Sequence, residues 1–375
     1  MHSPHSFQPP ARAARSPRGQ RKDCKVSMST LARSVLASLL SASGAPERRI
    51  RKYGVSNSLI LMYHRILPRK DTPRWVQAGM VVEPDTLADH IRCLRKYFDI
   101  VPLDSLRETQ RTAGRARARC VLTFDDGWHD FHVHAYPVLK ELSAPATVFL
   151  PTDFIGTERW FWTDRFGYIL DGLVDSGPER EGAKPGRTGD SIVDEILSMS
   201  GGYEGRLERS IALLKPLRLD QIERVLSGLA GAAGVENAPE GRAFINWDEV
   251  GEMAASGLIS FGSHTEGHPI MTTLAEDEAR AELDRSMATL VARNAALRGR
   301  VAFCYPNGSY SRRLTELVRE AGYTMAVTTE YGWNGPDSDP YALRRIGVHQ
   351  DMTSTTSLLE CRIAGILQPA KPIER

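Results

Sequence analysis

From Ser58 onward the chain alternates short unbroken apolar runs with stretches in which apolar residues recur every three or four positions. The runs are residues 59–62, 120–124, 146–150, 258–261, 301–304 and 323–328. An apolar run without polar alternation predicts a strand buried on both faces, as in a parallel sheet. Between the runs, Asp85 stands where it can cap a helix whose face includes Leu87, Ile91, Leu94 and Phe98. Further helices are predicted through Val138 and Leu142, over residues 276–297, and over residues 311–320. Strands alternating with helices predict an α/β fold whose site lies at the carboxyl ends of the strands.

Two segments break this rhythm. Residues 157–243 are rich in glycine and charge, with helical stretches at 206–217 and 219–230, and read as a helical insertion. The insertion opens on Trp160, Phe161, Trp162 and Phe166. Aromatic rings stack on sugar faces, but the preferred reading is that these four anchor the insertion on the body. Residues 1–56 form the second exception. The first 27 are Pro, Ser and Arg rich and predict disorder, and Met28 is an alternative start. Leu31, Val35, Leu36 and Leu39 then share one helical face, followed by Arg48, Arg49, Arg51 and Lys52. That arrangement fits either a helix packed on the body, the favoured expectation, or an amphipathic helix on an anionic membrane. The expected organisation is a basic N-terminus at 1–56, a first barrel part at 57–156, the insertion at 157–243 and a second barrel part at 244–375.

Charge sharpens the division. Residues 1–56 hold eleven Lys and Arg against Asp23 and Glu47, so the remaining chain carries a formal charge of about −7 beneath the overall +2. A mildly acidic body argues against a nucleic-acid partner. The five cysteines, Cys24, Cys93, Cys120, Cys304 and Cys361, have irregular spacing and no CxxC pair. They predict neither a disulfide framework nor a thiolate metal site, and fit a reducing, cytoplasmic setting, with the protein peripheral at the membrane if the N-terminal helix binds there.

Two constellations carry chemistry. Thr123-Phe-Asp-Asp-Gly127 ends one strand, and adjacent carboxylates there repel unless a cation joins them. Gly127 permits a sharp turn that brings both into one pocket. One aspartate then ligates a metal while the other stays free as a base. Ser263-His264-Thr265-Glu266-Gly267-His268 ends another strand. Its histidines, four apart, reach one cation if the intervening turn is helical. Two histidines and a carboxylate leave positions open for water and substrate, as in a catalytic site. His129, His132 and His134 read as helix-surface residues.

Together these motifs resemble the polysaccharide deacetylases, carbohydrate esterase family four, also called the NodB-homology domain. Leu61-Met-Tyr-His64, Ile245-Asn-Trp-Asp248 and Phe303-Cys-Tyr-Pro-Asn-Gly308 resemble further pieces of that family, over roughly residues 58–155 and 243–350. The resemblance implies a distorted (β/α) barrel, usually of seven strands, and hydrolysis of N-acetyl groups on a glycan or lipid-linked amino sugar. It implies one divalent metal, with zinc expected, on Asp126, His264 and His268, and Asp125 as base. Tyr305, Pro306 and Asn307 correspond to the substrate and oxyanion turn. Cys304 stands where the family often has an arginine that orients the base, and Arg345 is the expected substitute. His349 is the expected general acid by position. Hydrolysis of another C–N bond, such as a formyl group or a small amide, and a non-catalytic glycan-binding module are the competing expectations.

Overall fold

The computed structural model describes residues 30–111, 117–175 and 188–367. The expectations on residues 1–27 and Met28 lie outside the described residues. Ten strands form: β1 Leu59–Tyr63, β2 Arg65–Ile66, β3 Val81–Val82, β4 Phe98–Ile100, β5 Ala118–Phe124, β6 Ala146–Leu150, β7 Ile259–Ser263, β8 Ala302–Cys304, β9 Met325–Tyr331 and β10 Leu343–Gly347. Seven close into a parallel ring in the order β1-β10-β9-β8-β7-β6-β5, sealed by β1 against β5 from Leu59↔Cys120 to Tyr63↔Phe124. This is the expected distorted (β/α) barrel. Strand β4 adds outside β5, and β2 pairs with β3 in a separate two-stranded sheet.

The alternation along each strand sorts side chains into two layers. Ile60, Val121, Phe149, Cys304, Val327 and Leu343 pack together, while Leu59, Leu61, Cys120, Leu122 and Phe124 join the larger core that includes the helices. Both layers are apolar, which is why these strands read as unbroken runs rather than as alternating ones. Helix α1 spans Thr30–Ala42, α2 Ala45–Gly54 and α3 Pro84–Leu94, and the N-cap of α3 is Glu83 rather than Asp85, which lies in its first turn. After the aspartate pair comes a π-helical turn at Phe131–Ala135, leading into α4, Tyr136–Glu141.

Among the described residues of 157–243 there are four helices, α5 Trp162–Asp175, α6 Ser191–Ser198, α7 Tyr203–Leu214 and α8 Leu219–Ala233. They have their own core, in which Phe166, Ile169, Val193, Ile196, Val225 and Leu229 are buried together. The barrel then resumes with α9 Trp247–Ala255, α10 Glu276–Ala292 and α11 Arg312–Glu320, and ends in α12 Gln350–Thr353 and α13 Thr356–Ile363.

Helix α1 docks on α13, but not through the stripe that the sequence singles out. Ala37 and Leu40 meet Leu358 and Cys361, and Arg33 bonds the Leu367 carbonyl at 3.2 Å. Leu36 is half-buried, whereas Leu31, Val35 and Leu39 are 76%, 54% and 65% exposed. Small residues let the helix seat closely on α13 and leave the large apolar ones facing outward. Arg48, Arg49, Arg51 and Lys52 on α2 are exposed as well. Among the described residues no helix is long and apolar enough to cross a membrane.

Candidate active site

The site assembles where β1, β5, β7, β8 and β10 end. Asp125 and Asp126 follow β5, and the backbone leaves the strand direction at once: Asp126 has φ 74° and Gly127 φ 67°. A side chain at 127 would meet Leu150 Cδ2 at 2.6 Å, so glycine is required there for space as well as for conformation. The two carboxylates consequently take different partners. Asp125 is 3% exposed and receives both ends of the Arg345 guanidinium, Nη1 to Oδ1 at 2.6 Å and Nη2 to Oδ2 at 2.7 Å. The remaining Arg345 donors are also used: Nε bonds the Thr328 carbonyl at 2.8 Å, Nη1 the Thr123 hydroxyl at 3.1 Å and Nη2 the Cys304 sulfur at 3.2 Å. A guanidinium with all its donors placed is a rigid fork for a carboxylate. Cys304 fits this arrangement because its small side chain shares the barrel interior with Arg345. Burial alone raises the Asp125 carboxyl, but Arg345 overrides it and holds the group below its ordinary value.

Asp126 turns the other way. His264 Nε2 and His268 Nε2 each stand 3.4 Å from its Oδ1. Hydrogen bonds between charged partners run shorter, at about 2.7–2.9 Å. Donors bound at about 2.1 Å to one tetrahedral cation stand roughly 3.4 Å apart, so the spacing fits a shared metal ion. His264 Nδ1 donates to the Cys304 carbonyl at 2.8 Å, which fixes the tautomer and aims Nε2 at the site. Trp128 Nε1 bonds Asp126 Oδ2 at 3.0 Å, so one oxygen is anchored and the other faces the histidines. The turn between the histidines is not helical. Thr265 (φ 68°) and His268 (φ 60°) are left-handed, Thr265 Oγ1 accepts from His268 N at 2.9 Å, and Glu282 accepts from the Glu266 and Gly267 backbone. These contacts stabilise a conformation that costs free energy at non-glycine residues, as functional sites commonly do.

Two other groupings suit a metal less. Asp125, His264 and Cys304 converge, but the Asp125 carboxylate is committed to Arg345. His129 and His132 approach Glu249 on α9, whose oxygens already receive Arg242 at 2.7 and 2.8 Å. Those histidines are half-buried against α9 rather than free on the surface.

Of the remaining expected residues, Tyr305 is buried with its hydroxyl on the Tyr341 carbonyl at 3.0 Å. Pro306–Gly308 form a tight turn after β8, with Asn307 at φ 57° and its Oδ1 receiving Lys215 from the end of α7 at 3.1 Å. His349 does not pair with Asp125. Its Nδ1 bonds Asp351 Oδ1 at 2.7 Å. His64, just past the end of β1, lies nearer to the Asp125 carboxylate, with Nε2 3.8 Å from Asp125 Oδ2 and the side chain 18% exposed. Burial holds its pKa below the ordinary 6.5.

A cavity of about 100 Å³ opens beside the three donors, lined by Asp126, His268, Trp128, Phe161, Arg65 and Asp164 among others. Phe161 stacks on His268 at 4.3 Å between centroids, whereas Phe166 lies in the core of the insertion. The four aromatics therefore divide: Trp160 and Phe161 pack with the main core, Trp162 and Phe166 with the insertion's own core, and Phe161 also reaches the site. Burial pushes the Asp164 carboxyl up to about 6. Neither Arg65 nor Asp164 stands in a motif that announces chemistry, since only the folded insertion brings α5 to the end of β5.

The comparisons agree with this geometry. Residues 113–187 and 202–326, more than half the chain, match the family model described as polysaccharide deacetylase. The curated Bacillus subtilis (strain 168) protein YxkH, named for polysaccharide deacetylation, is 31% identical over 108 residues. That match covers 29% of this chain and spans 38% of the relative's length. Among solved structures, the Streptococcus pyogenes deacetylase PplD, determined with acetate, aligns with a TM-score of 0.50 at 20% identity, over 84% of this chain and 99% of that one. IcaB from Ammonifex degensii aligns with a TM-score of 0.51 at 18% identity, over 81% and 97%. At these identities the two structures speak for the fold, and the family match speaks for kinship: this chain belongs to the polysaccharide deacetylase family.

Proposed function

We propose that this protein removes acetyl groups from an N-acetylated glycan or a lipid-linked amino sugar, using one divalent cation, zinc in the first instance, held by Asp126, His264 and His268. The observation that carries the reading is the division of labour in the aspartate pair. Arg345 clamps Asp125 while Asp126 faces two imidazoles. A bound cation would polarise the acyl carbonyl and make water more acidic. Asp125, ionised and fixed in direction, accepts the proton of the attacking water. His64 lies against the same carboxylate, takes up the proton that Asp125 removes from water and delivers it to the departing amine. The Asn307 turn offers backbone N–H to the oxyanion, the family role of that turn.

The test is product release from chitooligosaccharides, peptidoglycan fragments and lipid-linked amino sugars, with and without a chelator. Acetate that appears only in the metal-loaded enzyme supports the proposal. Formate or ammonia instead of acetate moves the reaction to another C–N bond, and no product from any substrate overturns it.

The assignment of the acid is separable. His64→Gln is expected to lower kcat about 10²-fold, the low end for loss of a general acid, with metal content unchanged. His349→Gln is expected to stay near wild type. The reverse ranking returns the role to His349.

We also infer that α1 brings the enzyme to an anionic membrane. Leu31, Val35 and Leu39 form an exposed apolar row, and the basic residues of α2 supply charge complementary to acidic headgroups. Each basic residue near such a surface adds about 1 kcal/mol, in a salt-sensitive way. The described cysteines are free and buried, which supports a reducing compartment and hence the cytoplasmic face. Co-sedimentation with phosphatidylserine vesicles at low salt is expected for the wild type. It should be lost when Leu31, Val35 and Leu39 are changed to Ser, and equal sedimentation of both forms would reject the inference.

A further inference from the structure

One group in the cavity is left unsatisfied. Arg65 opens β2 and is 8% exposed, with Nε on Asp130 Oδ2 at 2.8 Å and the guanidinium over the Trp128 ring at 4.3 Å. Its Nη1 is buried and has no partner among the described residues. Buried donors are rarely left unpaired, and one that is calls for an explanation such as a bound water, ion or ligand. Across the same cavity lies Asp164 on α5, with one carboxylate oxygen receiving the Thr163 hydroxyl at 3.2 Å. An arginine with one unpartnered donor and a carboxylate thus line one cavity together with the aromatic rings of Trp128 and Phe161.

Charge decides what fits between them. The Asp130 carboxylate already balances Arg65, so a carboxylate placed against Arg65 would also face the Asp164 carboxylate with no free counter-charge beside it. A second cation would meet the guanidinium. A hydroxyl accepts from Nη1 and donates to the carboxylate at once. We propose that Arg65 and Asp164 grip one hydroxyl of the acylated sugar ring, so that the site selects a neutral amino sugar over one bearing a carboxylate or phosphate at that position. This rests on the deacetylase reading above and deepens it by naming the substrate class. It also gives the helical insertion a part in specificity, because Asp164 and Phe161 arrive with it.

The test uses the zinc-loaded protein and measures both binding, by calorimetry, and acetate release. The probes are the methyl glycoside of N-acetylglucosamine, its 3-, 4- and 6-deoxy analogues, and the corresponding 6-carboxylate. Wild type is expected to bind one deoxy analogue about tenfold more weakly than the parent, equivalent to 1.4 kcal/mol. Arg65→Lys and Asp164→Asn are expected to bind parent and that analogue alike, and the carboxylate is expected to bind wild type less well than the parent does. The half-buried Asp164 keeps the experiment decisive if Arg65→Lys does not fold. Variants that keep the wild-type ranking, a carboxylate preferred by wild type, or no binding of any probe each overturn the clamp. Acetate release with an unchanged ranking defeats the clamp alone. The predicted ranking without acetate release defeats the deacetylase reading and leaves the clamp standing.

Discussion

Changing both His264 and His268 to Ala is expected to reduce bound metal to background and abolish acetate release, while the protein stays folded. The two imidazoles supply two of three donors, each 3.4 Å from the third on Asp126, so the double change leaves a single carboxylate oxygen facing the cavity. One such ligand does not hold a first-row divalent ion against water. His268 lies on an irregular turn held by Thr265 and Glu282 rather than in the core, so its loss should cost little stability. His264 is 3% exposed and bonded to the Cys304 carbonyl, so some loss of stability is expected from that position. Elemental analysis beside circular dichroism checks both halves. Wild-type metal content in a folded double mutant would sink the ligand assignment.

The second large effect is expected at Asp125. Asp125→Asn should keep the metal, because Asp125 is not among the three donors, and lose about 10²–10⁴-fold in kcat, the range for removal of a general base. The amide cannot accept the proton of water, and it can no longer neutralise Arg345. Removing one partner of a buried ion pair commonly costs about 3–5 kcal/mol, so a lowered melting temperature should accompany the loss of rate. The sign with pH follows from the depressed carboxyl. Its stabilising contribution is full above the unfolded value of 3.8 and is lost as pH falls through the lower folded value. Wild type should therefore lose stability below about pH 4 more steeply than Asp125→Asn, in which this titration is absent. Activity retained by the amide would show that the aspartates divide their roles differently.

Much of the barrel was legible because its strands are apolar in both layers, so runs such as 120–124 and 146–150 stand out without knowledge of their neighbours. The aspartate pair and the two histidines were legible because their chemistry is local: residue types at fixed spacing at strand ends. Arg345 could be anticipated from the cysteine at 304, and the structure brings it to Asp125. The approach of His64 to Asp125 carries no signal in the sequence, because both His64 and His349 follow barrel strands and only the closed ring shows that β1 lies directly against β5. A helical turn from 264 to 268 is one way to bring both histidines to one cation; the left-handed turn that does so here is visible only once Glu282 and Thr265 are seen to hold it. Arg65 and Asp164 carry no local signal, since their meeting depends on where the insertion folds back. The stripe of α1 is found by periodicity but its outward direction is not, because the pattern identifies an apolar face without saying that small residues on another face make the seat.

The closure of β1 between β5 and β10 has a consequence for the order in which the protein forms. Asp125 and Arg345 are 220 residues apart, and β10 completes the ring only against the first barrel strand. On a ribosome, β1 and β5 emerge together, whereas the guanidinium that orders Asp125 arrives near the end of synthesis. Contacts of such sequence separation pay their loop-closure entropy late and slow the final step. The nascent chain therefore carries an open parallel sheet, with an unpaired edge on β1, for most of its translation. An unpaired edge of that kind is prone to aggregate, so truncation shortly before residue 343 is expected to leave the chain in the insoluble fraction.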